Sequence, residues 1–121
     1  KIQATATERR RQQENRIAAL RRLRIKLAVE VRTPRPPEPS QLWRSRRQGR
    51  SMSVNPKHGD YPALLAEALD VLSLMKWDVA KSAGRLGISM SQLTRLLRHE
   101  KPAFALVNRQ RQERGFPPLR R

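Results

Sequence analysis

The sequence predicts a mainly α protein: a short N-terminal strand, a long basic helix, a proline-rich linker and a C-terminal helical bundle containing a helix-turn-helix. Three observations carry that expectation. Apolar residues recur every three or four positions over 17–31 and again from 61 onward, the helical period, whereas only 1–7 alternates with the period of two that a half-buried strand requires. Pro34, Pro36, Pro37, Pro39 and Pro56 fall in one stretch that is poor in apolar residues. Aromatic residues make up 4% of 121, which limits the chain to one or two small helical cores and excludes a large enzyme domain.

Lys1, Ile2, Gln3, Ala4, Thr5, Ala6 and Thr7 alternate polar with small or apolar side chains. Seven residues cannot form a sheet alone, and no later segment reads as a strand, so partner strands are expected ahead of residue 1 in a longer chain. Thr5 with Glu8 three residues on has the form of a capping box. The helix that follows carries Ile17, Leu20, Leu23, Leu27 and Val31 on one stripe, with Arg16 and Arg24 at its flanks and Arg21, Arg22 and Lys26 away from it. The stripe is expected to pack while the guanidinium groups face outward. Pro34 ends the helix, which closes the first unit at 1–32.

The second unit, 33–60, reads as a tether of extended polyproline geometry, with Arg44, Arg46, Arg47 and Arg50 around a lone Trp43. The third, 61–121, reads as four short helices. Pro62 suits a first helical position and Leu65, Leu69 and Leu72 form the first apolar face. Asp78 caps the second helix, Val79, Ala83 and Leu86 point it inward, and Gly87 stops it. Ser89 caps the third, with Leu93, Leu96 and Leu97 facing the core, and the fourth, 102–114, is closed by Gly115, Pro117 and Pro118.

A net charge of +17, with a pI near 11.9, calls for a polyanionic partner: RNA, DNA or an anionic membrane surface. The charge is concentrated, residues 1–50 netting +11 and the remainder +6. The absence of cysteine removes disulfides, thiolate zinc sites and thiol nucleophiles, and favours a reducing, cytoplasmic setting. No apolar run approaches the roughly 20 residues of a bilayer span, and an amphipathic membrane helix at 9–31 is opposed by Glu8, Glu14 and Glu30. His58 and His99 stand alone, with no paired carboxylates and no phosphate-cradling glycine loop, so no catalytic residue, metal, cofactor or small-molecule substrate is expected. The candidate RNA-binding residues are Arg9, Arg10, Arg11, Gln12, Arg16, Arg21, Arg22 and Lys26 on the helix and Arg44, Arg46 and Arg47 in the tether. Each engaged phosphate adds about 0.9 to the salt slope of duplex binding, so five or six engaged arginines would dominate affinity.

The string Thr7-Glu8-Arg9-Arg10-Arg11-Gln12-Gln13-Glu14-Asn15-Arg16, followed by Ala18-Ala19-Leu20 and a basic helix, resembles the distal half of the catalytic domain of class I peptide chain release factors. Arg10 and Gln12 match the Arg and Gln of the family's Glu-Arg-Ser-Gln, and Asn15-Arg16 match its Asn-Lys. Arg9 stands where Glu is expected, Glu8 lies one place early, and Arg11 replaces Ser. The resemblance spans about 30 residues and implies a fragment of an α+β domain, ribosomal RNA as partner, and a role in translational termination or ribosome rescue. It also implies that the 44–50 segment threads along RNA, as the basic tails of rescue members do. The family's hydrolytic Gly-Gly-Gln loop is absent, so this chain is expected to be inert even if a longer parent is a peptidyl-tRNA hydrolase.

Residues 79–98 fit a helix-turn-helix: Ala83 permits close helix approach, Gly87 takes the left-handed turn, Ile88 plugs the core, Ser89 caps the second helix and Leu93 packs it. The string is similar to the C-terminal motif of the factor for inversion stimulation and related bacterial regulators. That resemblance implies a second helix able to enter a major groove, with Gln92, Arg95 and Arg98 as the candidate reading residues. A DNA-binding regulator or nucleoid-type protein is the alternative to the translational reading; for 79–98 itself the plainer alternative is a helical scaffold or protein-docking bundle whose polar face is merely solvated, and a membrane-surface or organelle-targeting helix at 9–31 is the third reading.

Overall fold

The computed structural model describes residues 2–120. Among them are six helices and one short antiparallel hairpin: α1 (Ile2–Glu30), α2 (Gln41–Arg46), β1 (Arg47–Gln48), β2 (Ser51–Met52), α3 (Tyr61–Leu74), α4 (Val79–Leu86), α5 (Met90–Arg98) and α6 (Lys101–Glu113). The mainly α class holds.

The strand expected over 1–7 does not form: helix α1 already runs from Ile2, and Lys1 lies outside the described residues. An unpaired strand would leave its ladder hydrogen bonds unmade, whereas a helix satisfies them within the segment, and Gln and Ala favour that outcome. Over seven residues the alternation of polar and small side chains fits either state. With the helix under way from Ile2, position 5 lies inside α1 and is not the helix start that the Thr5–Glu8 spacing predicts.

Helix α1 ends where Val31 N–H donates to Leu27 O at 2.9 Å, ahead of Pro34. Its packed face is not the long apolar stripe. Ala28 is buried and Ile25 and Val29 lean on the core, while Ile17, Leu20, Leu23, Leu27 and Val31 remain 49–62% exposed. Two apolar faces compete on this helix. The small Ala28 allows the close backbone approach to α3 that Leu20, Leu23 and Leu27 would block.

The 33–60 segment is folded onto the bundle instead of running free as a tether. Asp70, buried on α3, accepts from Thr33 N–H at 3.1 Å and from Arg35 Nε at 2.8 Å. Glu67, buried one turn earlier, accepts from Ser40 N–H at 2.8 Å and from its hydroxyl. Ser40 in turn caps α2, its Oγ accepting from Trp43 N–H at 3.1 Å. Trp43 is fully enclosed, and its Nε1 donates to Leu86 O at 2.8 Å. An indole of this size, with its polar atom paired, offsets much of the entropy of ordering the prolines.

In the bundle the local signals act as expected. Asp78 Oδ1 accepts from Lys81 N–H at 3.0 Å, Ser89 Oγ from Gln92 N–H at 3.2 Å, and Gly87 adopts φ 75°. The α3–α4 turn is less conventional, because Lys76 and Trp77 take φ 57° and 67° without a glycine. Trp77 N–H closes back on Leu72 O at 2.6 Å, and Arg111 Nη1 donates to Trp77 O at 2.9 Å while its guanidinium lies 4.7 Å over the Phe116 ring. Ala28, Trp43 and Met52 belong to the same apolar cluster as the leucines of α3, α4 and α5, so the core is continuous across the three sequence units.

Replacing Asp70 with Ala should destabilise the fold by about 2–3 kcal/mol. That is below the usual cost of breaking a buried pair, because Arg32 and Arg35 each keep about a quarter of the side chain in solvent and can rehydrate. Urea unfolding measures the loss, and faster acrylamide quenching of the two-tryptophan emission should accompany it as the 33–43 segment loosens.

Candidate nucleic-acid interface

The described side chains of α1 from 7 to 17 are all exposed, so this part of the helix stands clear of the body. Arg9, Arg10, Arg11, Gln12 and Arg16 lie on it, and Arg22 and Lys26 continue the basic surface on the solvent side of the packed half. At 1.5 Å of rise per residue, 9 to 26 spans roughly 25 Å. Arg21 is partly withdrawn: it is half-buried, and its Nη1 donates to His58 O at 3.1 Å.

The arginines of the second unit divide. Arg44 is exposed. Arg46 is half-buried and bonded to the Asp60 carboxylate at 2.5 Å, with the His58 ring beside it. Arg47 Nη1 donates to Gly87 O at 3.1 Å and lies against the Gly87 backbone. Arg46 and Arg47 thus hold loops in place, while Arg44 and Arg50 are exposed with no side-chain hydrogen bond among the described residues.

Helix α5 keeps Leu93, Leu96 and Leu97 inside and turns Ser91, Arg95 and Arg98 to solvent. Gln92 is diverted: its Oε1 accepts from Met52 N–H at 3.2 Å. The hairpin is seated on the start of α5 by this bond and by Ser89 N–H donating to Arg50 O at 3.0 Å. Between the two lies a groove of about 220 Å³, lined by Ser51, Ser53, Gln92, Arg95 and His99 over Met52, Val54 and Leu96. Sequence reading left His99 and the two serines out. The available signal was the four-residue spacing from Arg95 to His99, which puts both on one helix face; the serines come from a distant segment and had none.

Two titrating groups respond to these surroundings. Burial pushes the His99 imidazole below its ordinary value, and the charges of Arg95 and Arg98 push it the same way. The Arg46 hydrogen bond holds Asp60 below the usual carboxylate range, assisted by the charges of Arg46 and His58.

A larger open groove, about 560 Å³, runs between α1 and α3, with Leu27 and Val31 on one wall and Pro62, Ala63 and Ala66 on the other. Among the described residues no cluster of His, Cys, Asp or Glu is placed to hold a metal ion, and no helix is long and apolar enough to cross a membrane. No protein-family model, curated protein or solved structure matches the chain.

Gly87→Ala should cost about 1–2 kcal/mol, because a Cβ there takes a left-handed backbone and meets Arg47 Nη1 at 2.5 Å. Adding Arg47→Ala should return the steric part only, which a double-mutant cycle on thermal unfolding resolves. Asp60 carries the opposite kind of test. Its folded pKa lies below the reference 3.8, so the Arg46 contact stabilises above that value and is lost as pH falls through the folded pKa. Arg46→Ala should bring the Asp60 titration, followed by carboxyl NMR, back up toward 3.8.

Proposed function

We propose that this chain is the ribosome-associated, RNA-binding portion of a release-factor-like protein acting in translational termination or ribosome rescue, in a cytoplasmic setting. The observation that supports this reading best is the α1 surface. Arg9, Arg10, Arg11 and Arg16 lie on a stretch of helix whose described side chains are all exposed, within the string that resembles the family. Arginines held on a straight rod offer phosphate contacts at a regular rise, and ribosomal RNA supplies phosphates at the required density. No ester hydrolysis is assigned to these residues, since no Gly-Gly-Gln occurs among them.

Duplex DNA is the second reading, favoured by the outward placement of Arg95 and Arg98 on α5. It is weakened by the engagement of Gln92 with Met52, which occupies the acceptor half of a side chain that would read adenine.

The triple variant Arg10→Ala, Arg16→Ala, Arg22→Ala should keep its fold, because all three side chains are exposed. It should also lose co-sedimentation with ribosomes at moderate salt, with the salt slope of RNA binding falling by about 0.7 for each phosphate contact removed. Unchanged ribosome association would overturn the proposal, and sequence-selective duplex binding retained by the same variant would favour the regulator.

A further inference from the structure

The groove between the hairpin and α5 combines several features that the α1 reading does not use. Arg95 lies along it, exposed, and among the described residues neither Arg95 nor Arg98 has a carboxylate within ion-pair distance; the ion pairs of the fold are made at Asp60 and Asp70. His99 stands one helical turn beyond Arg95, and the Ser51 and Ser53 hydroxyls line the opposite wall. A groove of about 220 Å³ falls below the roughly 300 Å³ at which drug-sized pockets begin, so it suits a group the size of a phosphate with part of its sugar.

We propose that this groove is a phosphate-binding site for a nucleic-acid strand, with Arg95 and His99 supplying positive charge and the Ser51 and Ser53 hydroxyls completing the donor set. One guanidinium group and one imidazole line the groove, and no carboxylate stands on its walls. A phosphate supplies that countercharge with charge-assisted hydrogen bonds. The outer face of α5 is contiguous with the groove, so a strand seated there continues across Arg98 and Ser91. The inference goes beyond the ribosomal reading and uses no α1 residue, so the two can fail separately.

Proton linkage gives the site a signature that a merely solvated basic patch lacks. His99 faces Arg95 and Arg98 of α5 and, edge-on at 6.2 Å, the Tyr61 ring of α3; Glu100 follows it in the chain, and the hairpin side of the groove, Ser51 to Val54, carries no charged group. In the free protein the imidazole is held below its ordinary value, so it is largely neutral at pH 7. A bound phosphate favours the protonated ring and raises its pKa. Binding therefore takes up a proton and strengthens as pH falls, by up to tenfold for each unit by which the pKa rises.

The experiment follows the His99 and His58 ring resonances of the whole chain by NMR through a pH titration: alone, with inorganic phosphate, and with a ten-nucleotide single-stranded RNA at low salt. An upward move of the His99 titration with the RNA, at concentrations where inorganic phosphate has no effect, supports a strand phosphate. A response to inorganic phosphate at least as strong as to the RNA identifies free phosphate as the source and overturns the strand assignment. No response of His99 to either overturns the site. Arg95→Gln should abolish the RNA-induced shift of His99 and lower the salt slope by about 0.7, while Arg95→Lys restores part of both. The α1 triple variant should leave the His99 response in place, which separates failure of this site from failure of the ribosomal reading.

Discussion

Two carboxylates one helical turn apart, Glu67 and Asp70, decide how this chain folds. Both are buried on α3, where a carboxylate without donors would be costly, and both draw their donors from the segment 33–40. The consequence runs outward in order. Fixing Thr33, Arg35 and Ser40 sets the start of α2, α2 delivers Trp43 to the carbonyl of Leu86, and that placement carries the hairpin onto α5. The bundle supplies the acceptors and the second unit supplies the donors, so neither is satisfied without the other.

This dependence explains which parts of the architecture could be read from the residues in order. The bundle helices announce themselves because capping and periodicity are local: Asp78, Gly87 and Ser89 each act within four residues of themselves. The 33–60 segment was misread because its order comes from partners 27 to 43 positions away, at Glu67, Asp70 and Leu86, and composition carries no such information. The same holds for α1, where periodicity finds apolar faces and cannot say which one meets α3. The exposure of Arg9–Arg11 and Arg16 was legible because a solvent-facing helix needs no tertiary knowledge. The tasks of Arg46 and Arg47 were hidden for the opposite reason, since both bond to residues brought near only by folding.

The acidic residues also alter the meaning of the net charge. Glu67 and Asp70 are engaged inside the fold, Asp60 pairs with Arg46 nearer the surface, and Asp78 is taken up in capping α4. Glu8, Glu14, Glu30, Glu38 and Glu113 remain exposed, so the surface is basic but not free of negative charge. Arg46 and Arg35 are neutralised in exchange, yet Arg9–Arg11, Arg16, Arg95 and Arg98 are not. The α1 rod and the α5 flank are two of the places where that excess is exposed, beside scattered cations such as Arg44, Arg50, Lys57 and Arg109.

The clear stretch of α1 has a thermodynamic consequence. From 7 to 17 its side chains are all exposed, so its helicity rests largely on local propensity, which is marginal in water for a segment of that length. Three consecutive arginines add mutual repulsion. Anions that settle among them remove that repulsion and stabilise the helical state, so coil-to-helix ordering and polyanion capture are one coupled equilibrium. On the RNA-binding reading proposed above, the cost of ordering would be met at the moment of encounter, lowering the affinity obtained per contact and favouring quick release.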